Sequence, residues 1–193
     1  MSAGVPKPWD DVFADMVYWK WAGELPDWSV ASGVGFIEKA LKLAPGDKVL
    51  DLGCGLGAHS IELGRRGYEV TGLDYSETFL EHAGRRAREA SVSVNFVQGD
   101  MIRMTWDGQF DAVVLRGNTF GMFADEDNRR ILSCIARALN RDGRALIDIN
   151  NNTGLPVKLT KDWDFHSEDD RLLFLEEETK DVGRGRFGFT VTA

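Results

Sequence analysis

The chain has 193 residues, 43% hydrophobic and 28% charged, a composition that suits one globular domain with a buried core. Its net charge of −8 repels phosphate backbones and argues against nucleic acid as a partner. No apolar run reaches the roughly 18 residues of a membrane span, and two cysteines, Cys54 and Cys134, are too few for a disulfide framework or a cysteine-based zinc site.

Helical and strand periodicities alternate along the chain. Residues 9–22 place Val12, Phe13, Met16, Val17 and Trp21 on one stripe, and Val30, Val34, Ile37, Ala40 and Leu41 predict a second helix over 29–43. After the turn Pro45-Gly46-Asp47 comes a strand over 48–52. A helix over 58–66 follows and stops at Gly67, a C-terminal cap glycine. A second strand covers 69–73. Ser76 then caps a helix running to 89, with Phe79, Leu80, Ala83 and Ala87 on one face. Arg85, Arg86 and Arg88 crowd its last turns, where cations suit the helix dipole, so this basic cluster needs no nucleic-acid explanation.

The third strand covers 94–98 and the fourth 111–115, joined by a short polar link without assignable periodicity. A helix over 126–140, with Glu126 and Asp127 in its first turn, is expected to bury Ile131, Leu132, Ile135, Ala136 and Leu139. The fifth strand covers 144–149. Short apolar strands alternating with helices predict an α/β fold, a mostly parallel sheet covered on both faces.

Ligands of such sheets bind beyond the carboxyl ends of the strands. Four groups of residues fall there: Asp51 with Gly53, Gly55 and Gly57; Asp74 with Tyr75; Gly99-Asp100-Met101; and Arg116-Gly117-Asn118-Thr119. Each group alone makes a turn or caps a helix, but their recurrence at four strand ends points to a ligand.

Two nucleotide ligands compete. Gly53-x-Gly55-x-x-Ala58 satisfies a permissive dinucleotide fingerprint, which seats the pyrophosphate of NAD on the glycine turn. Asp51 opposes that choice, since like charges ~4 Å apart cost on the order of 4 kcal/mol at an effective dielectric near 20. S-adenosylmethionine carries an ammonium and a sulfonium, which Asp51 favours, and its carboxylate can use the amides that open the following helix. Asp74 then takes the ribose diol and Asp100 accepts from the adenine amino group.

"VLDLGCGLGAHSIELGRRGYEVTGLDYS" resembles the first motif and second strand of class I S-adenosylmethionine-dependent methyltransferases. "FVQGDM" is similar to the family's third-strand motif, and "FDAVVLRGNTFGMF" to the fourth-strand motif of its small-molecule branch. The resemblance covers about residues 30–150. It implies a Rossmann-like, doubly wound sheet and a cofactor site in which Asp51, Gly53, Gly55 and Gly57 line the methionine part. By the same resemblance Asp74 binds ribose with Tyr75 beside it, Asp100 and Met101 frame adenine, and Arg116, Gly117 and Asn118 lie beside the donor sulfur.

The activity implied is methyl transfer to a small-molecule acceptor by in-line displacement, with S-adenosylhomocysteine as product. Holding nucleophile, methyl and sulfur collinear is chiefly positioning. No catalytic base is assigned. His59 lies in the helix after the glycine turn, His82 mid-helix and His166 in a polar segment, and their spacing fits no metal site. Two other classes fit the same sheet: a non-catalytic S-adenosylmethionine-binding module, and an NAD(P)-dependent oxidoreductase.

The organisation expected is one domain over 1–193. Residues 1–28 form a helical lid rich in tryptophan (Trp9, Trp19, Trp21, Trp28), 29–149 the cofactor-binding core, and 150–193 an antiparallel segment. A lid over the site would exclude water, the alternative being an aromatic face packed on the sheet. Relatives often reach the cofactor carboxylate with a tyrosine from this helix, which the resemblance places at Tyr18. "MSAGVPKPWDD" shows no secretory pattern, so a cytoplasmic location without membrane contact is expected.

The family's sheet has seven strands, and "RLLFLEEET" and "RFGFTVT" could be the last two. The polar stretch 150–170 lacks the helix that should precede them. The favoured expectation is therefore an inserted antiparallel pair in a truncated chain, with an unpaired sheet edge and self-association through the C-terminal strands.

Overall fold

The computed structural model describes residues 27–117, 119–149, 164–166, 173–181 and 186–192, of which 27, 28 and the three C-terminal segments are described as backbone. The chain divides into two compact units, residues 1–149 and 150–193.

The first unit runs α1 (Asp27–Leu41), β1 (Lys48–Leu52), α2 (Ala58–Arg65), β2 (Glu69–Asp74), α3 (Glu77–Glu89), β3 (Asn95–Gln98), β4 (Phe110–Leu115), α4 (Asp125–Ala138) and β5 (Leu139–Ile147). The five strands form one sheet in the order β3-β2-β1-β4-β5, and every neighbouring pair is parallel. The order reverses beside β1, which lies between β2 and β4. The register sets Leu52 beside Leu73 and Leu115, and Leu115 beside Ile147, so the strand ends converge at one edge of the sheet.

Burial on both faces explains why these strands read as continuous apolar runs. Side chains alternate along β1. Val49 packs with Val34, Ile37 and Leu41 of α1 and Leu63 of α2. Leu50 and Leu52 face the other way, with Phe110, Val113, Leu115 and Ile131, Ile135 and Ala138 of α4. Leu50, Leu52, Leu63 and Ile37 are fully buried, and each such side chain contributes about 1.5–3 kcal/mol of transfer free energy.

The local signals act as expected at several ends. Gly67 follows α2 at φ +94 and donates from its amide to the Gly64 carbonyl at 3.0 Å. Ser76 Oγ accepts from the Phe79 amide at 3.3 Å and opens α3, whose last turn holds Arg86 and Arg88. Cys54 and Cys134 are free and half-buried.

Two expectations are corrected. The helix placed at 126–140 ends at Ala138, and Leu139 is already extended (φ −69, ψ 140) and paired opposite Phe110. The pairing pulls it into β5, which therefore starts five residues earlier than the 144–149 assignment and carries a register shift between Phe110 and Ala112. Asn140 donates from its side chain to Asp111, tying that early segment to β4. The buried stripe of α4 is Ile131, Ile135 and Ala138, while Leu132 is 43% exposed and Ala136 is also exposed. At 100° per residue those two positions rotate off the core face.

The second unit holds β6 (Asp164–His166), β7 (Leu173–Asp181) and β8 (Arg186–Thr192). They form their own antiparallel sheet in the order β6-β7-β8, with Glu178 opposite Phe189. The two C-terminal strand-like runs thus pair with each other and not with the parallel sheet, and β6 joins them unannounced by the sequence.

Candidate cofactor site

The turn after β1 is built by backbone that doubles back. The Cys54 amide donates to the Leu73 carbonyl at 3.1 Å and the Gly57 amide to the Cys54 carbonyl at 2.9 Å. Gly57 has φ +73, and a Cβ there would lie 2.8 Å from Phe96 Cζ and 2.9 Å from Ala83 Cβ. This glycine is needed for packing.

Gly55 differs. It has φ +53, yet a Cβ there meets nothing within 4 Å. The open space beside it is where a ligand can approach the backbone. The expected effect of Gly55→Val is loss of cofactor binding, through the bulk of the side chain and the strain of a β-branched residue at φ +53, with the sheet and helices kept in the circular dichroism spectrum. Calorimetry showing retained affinity would mean that the turn does not meet the ligand.

Asp51 is 4% exposed and accepts from Ser60 Oγ at 2.6 Å. Burial raises its pKa from 3.8 to about 6; Ser60 and Arg116 pull it down, and the charge of Asp74 adds to the rise. Asp74 closes β2. One of its carboxylate oxygens accepts from the Gly55 amide at 2.8 Å and the other from the Ser76 amide at 2.9 Å. Burial raises its pKa as well, against those backbone donors. Tyr75 beside it is 45% exposed.

After β3, Asp100 accepts from the Ile102 amide at 3.0 Å, and Met101 is half-buried. A Cβ on Gly53 would lie 3.5 Å from Met101 Cε and 3.5 Å from Thr119 Oγ1, so three strand ends meet there. Arg116 and Gly117 follow β4. Arg116 Nε donates to Asp148 Oδ2 at 2.9 Å, the Gly117 amide to Asp148 Oδ1 at 2.8 Å, and Arg116 Nη1 lies 2.9 Å from His59 Nε2. Burial and the neighbouring guanidinium push His59 down to about 4, so the ring is neutral and accepts from Arg116.

The structure therefore gathers Asp51, Gly53, Gly55, Gly57, Asp74, Tyr75, Asp100, Met101, Arg116 and Gly117 around the carboxyl end of the sheet. Tyr18 and Asn118, and the helix expected over 9–22, lie outside the described residues. Sequence reading missed Ser60 and Asp148. Ser60 lies nine residues beyond Asp51, and only the return of α2 over the strand brings the two together. Asp148 directly follows β5, and the strand expected over 144–149 hid it as a strand-end residue. Among the described residues no group of histidine, cysteine, aspartate and glutamate is arranged for a metal ion. None of the described helices is long and apolar enough to cross a membrane.

A parallel sheet with a glycine turn, a buried acid behind it and a second acid at the next strand end defines a nucleotide-type cofactor site at a topological switch point. The family model "Methyltransferase domain" matches residues 49–143. The glycine/sarcosine N-methyltransferase of Halorhodospira halochloris is 33% identical over 141 residues, covering 70% of this chain and 52% of that protein. The TehB-like SAM-dependent methyltransferase of Corynebacterium glutamicum superposes with a TM-score of 0.59 at 25% identity, covering 77% of this chain and 78% of that one. The magnesium protoporphyrin IX methyltransferase of Synechocystis PCC 6803 with bound S-adenosylhomocysteine gives 0.55 at 25% identity, covering 67% and 65%. The chain belongs to the class I S-adenosylmethionine-dependent methyltransferases, and it spans about half the length of the curated relatives it matches.

The residues present fit the family's cofactor, S-adenosylmethionine. The open space at Gly55 admits it, and a buried carboxylate with a raised pKa gains most from a cationic neighbour.

Proposed function

We propose that this protein transfers a methyl group from S-adenosylmethionine to a small-molecule acceptor and releases S-adenosylhomocysteine. The observation that carries this reading is Asp51, an acid held nearly out of water behind an open glycine turn. The cofactor supplies the electrophilic methyl group. The chain binds and orients: Asp51 provides negative potential for the ammonium and sulfonium, Gly53, Gly55 and Gly57 admit the methionine part, and Asp74 takes the ribose diol beside Tyr75. Asp100 and Met101 frame adenine, and Arg116 and Gly117 flank the sulfur. The small acceptor is supported by the glycine/sarcosine N-methyltransferase relative.

Calorimetry tests the cofactor. S-adenosylhomocysteine is expected to bind and NAD to give no measurable heat, because an ionised Asp51 repels a pyrophosphate. Tighter binding of NAD would end the reading. Transfer of tritiated methyl from labelled cofactor into a pool of small metabolites separates an enzyme from a binding module.

Self-association through the C-terminal strands belongs to the same proposal. Among the described residues β8 pairs on one side with β7, and its "RFGFTVT" run is β-prone and of low charge. Light scattering at micromolar concentration should report a dimer or larger species, and a stable monomer would refute it.

A further inference from the structure

Arg116 is held on two sides. Its Nε is committed to Asp148 and its Nη1 to His59, whereas Nη2 has no hydrogen-bond partner among the described residues. Asp148 also takes the Gly117 amide, so the side chain and the turn that follows it are fixed by one carboxylate. From above, α1 closes on the pair: a Cβ on Gly33 would lie 2.6 Å from Arg116 Nη1 and 3.0 Å from His59 Nε2. A side chain at this position would push the guanidinium or the imidazole aside.

The second partner is informative. Asp148 already balances the guanidinium's charge, and the neutral imidazole adds a hold on Nη1 without bringing a second negative charge. The side chain keeps 28% of its surface open at the carboxyl end of β4, within electrostatic reach of Asp51. A cation pre-oriented in this way, with donors still to spend, is built for an anion, and carboxylates match guanidinium geometry.

We infer that Arg116 holds a carboxylate of the methyl acceptor through Nη2, with Asp148 and His59 as positioning residues. The inference rests on the methyltransferase reading of the same site and adds the acceptor's chemical class, a small molecule bearing a carboxylate.

Acetate is the probe, because so small a carboxylate reaches the subsite whatever the rest of the acceptor is. The protein is first saturated with S-adenosylhomocysteine. Sodium acetate is then titrated at constant ionic strength while the Arg116 Nε–H and His59 ring signals are followed by NMR. Saturable shifts of both are expected with acetate and none with acetamide. Arg116→Lys, which keeps the charge and loses the fork, should weaken the acetate response at least ten-fold. Acetate behaving like chloride or like acetamide, or an unchanged response in Arg116→Lys, overturns the inference. If that variant fails to fold, the acetate and acetamide arms on the wild-type protein decide. Failure of S-adenosylhomocysteine to bind at the first step would instead refute the methyltransferase reading.

Discussion

Asp51→Asn is expected to raise the stability of the ligand-free protein at pH 7.5 while weakening S-adenosylhomocysteine binding at least ten-fold. Asp51 is almost fully buried, and its pKa stands at about 6 against a usual 3.8. Between those values the folded protein holds a proton that the unfolded chain releases, so stability falls as pH rises through the window from about 4 to about 6. Above it the penalty is complete, about 3 kcal/mol at about 1.4 kcal/mol per pKa unit. Asparagine keeps the acceptor for Ser60 Oγ and carries no charge, so it escapes the penalty and flattens the pH dependence. The bound cofactor repays the wild-type carboxylate with a cation, which is why affinity and stability move in opposite directions. Melting curves at pH 5 and pH 7.5, with and without S-adenosylhomocysteine, read both effects. A variant that is less stable than wild type at pH 7.5 and binds the ligand equally well would sink the account.

Asp74→Ala should be costly on both counts. The carboxylate serves two backbone donors, Gly55 and Ser76, which hold the glycine turn and the start of α3. Losing hydrogen bonds to a charged group costs about 1.5–3 kcal/mol. Stability should therefore fall by an amount of that order, reduced by the relief of a buried charge with a raised pKa. Cofactor affinity should fall at least ten-fold, since the ribose diol loses its acceptor and the turn its brace. Asp74→Asn separates the two roles. It can keep one backbone donor through its carbonyl oxygen, so it should recover stability more than affinity. Equal recovery of both would assign Asp74 to the turn alone.

How much was legible in the sequence follows from which interactions are local. The strand periods, the cap at Ser76, the stop at Gly67 and the glycine turn depend on neighbours within a few residues, so the parallel α/β fold and the placement of Asp51, Asp74, Asp100 and Arg116 at strand ends could be read directly. The end of α4 could not, because the pairing of Leu139 with Phe110 across the sheet overrides a helical stripe that continues past it. The clamp on Arg116 was equally hidden, since Gly33, His59 and Asp148 come from three separate elements. Nor does composition show that Asp51 is nearly dry, a property set by α2 folding back to bring Ser60 against it. The sequence by itself determined the order of elements and the chemistry carried at each strand end, because those rest on short-range spacing. Tertiary structure alone decided which of these groups meet, how deeply they are buried and hence where they titrate, because desolvation and long-range hydrogen bonds exist only once the sheet has assembled.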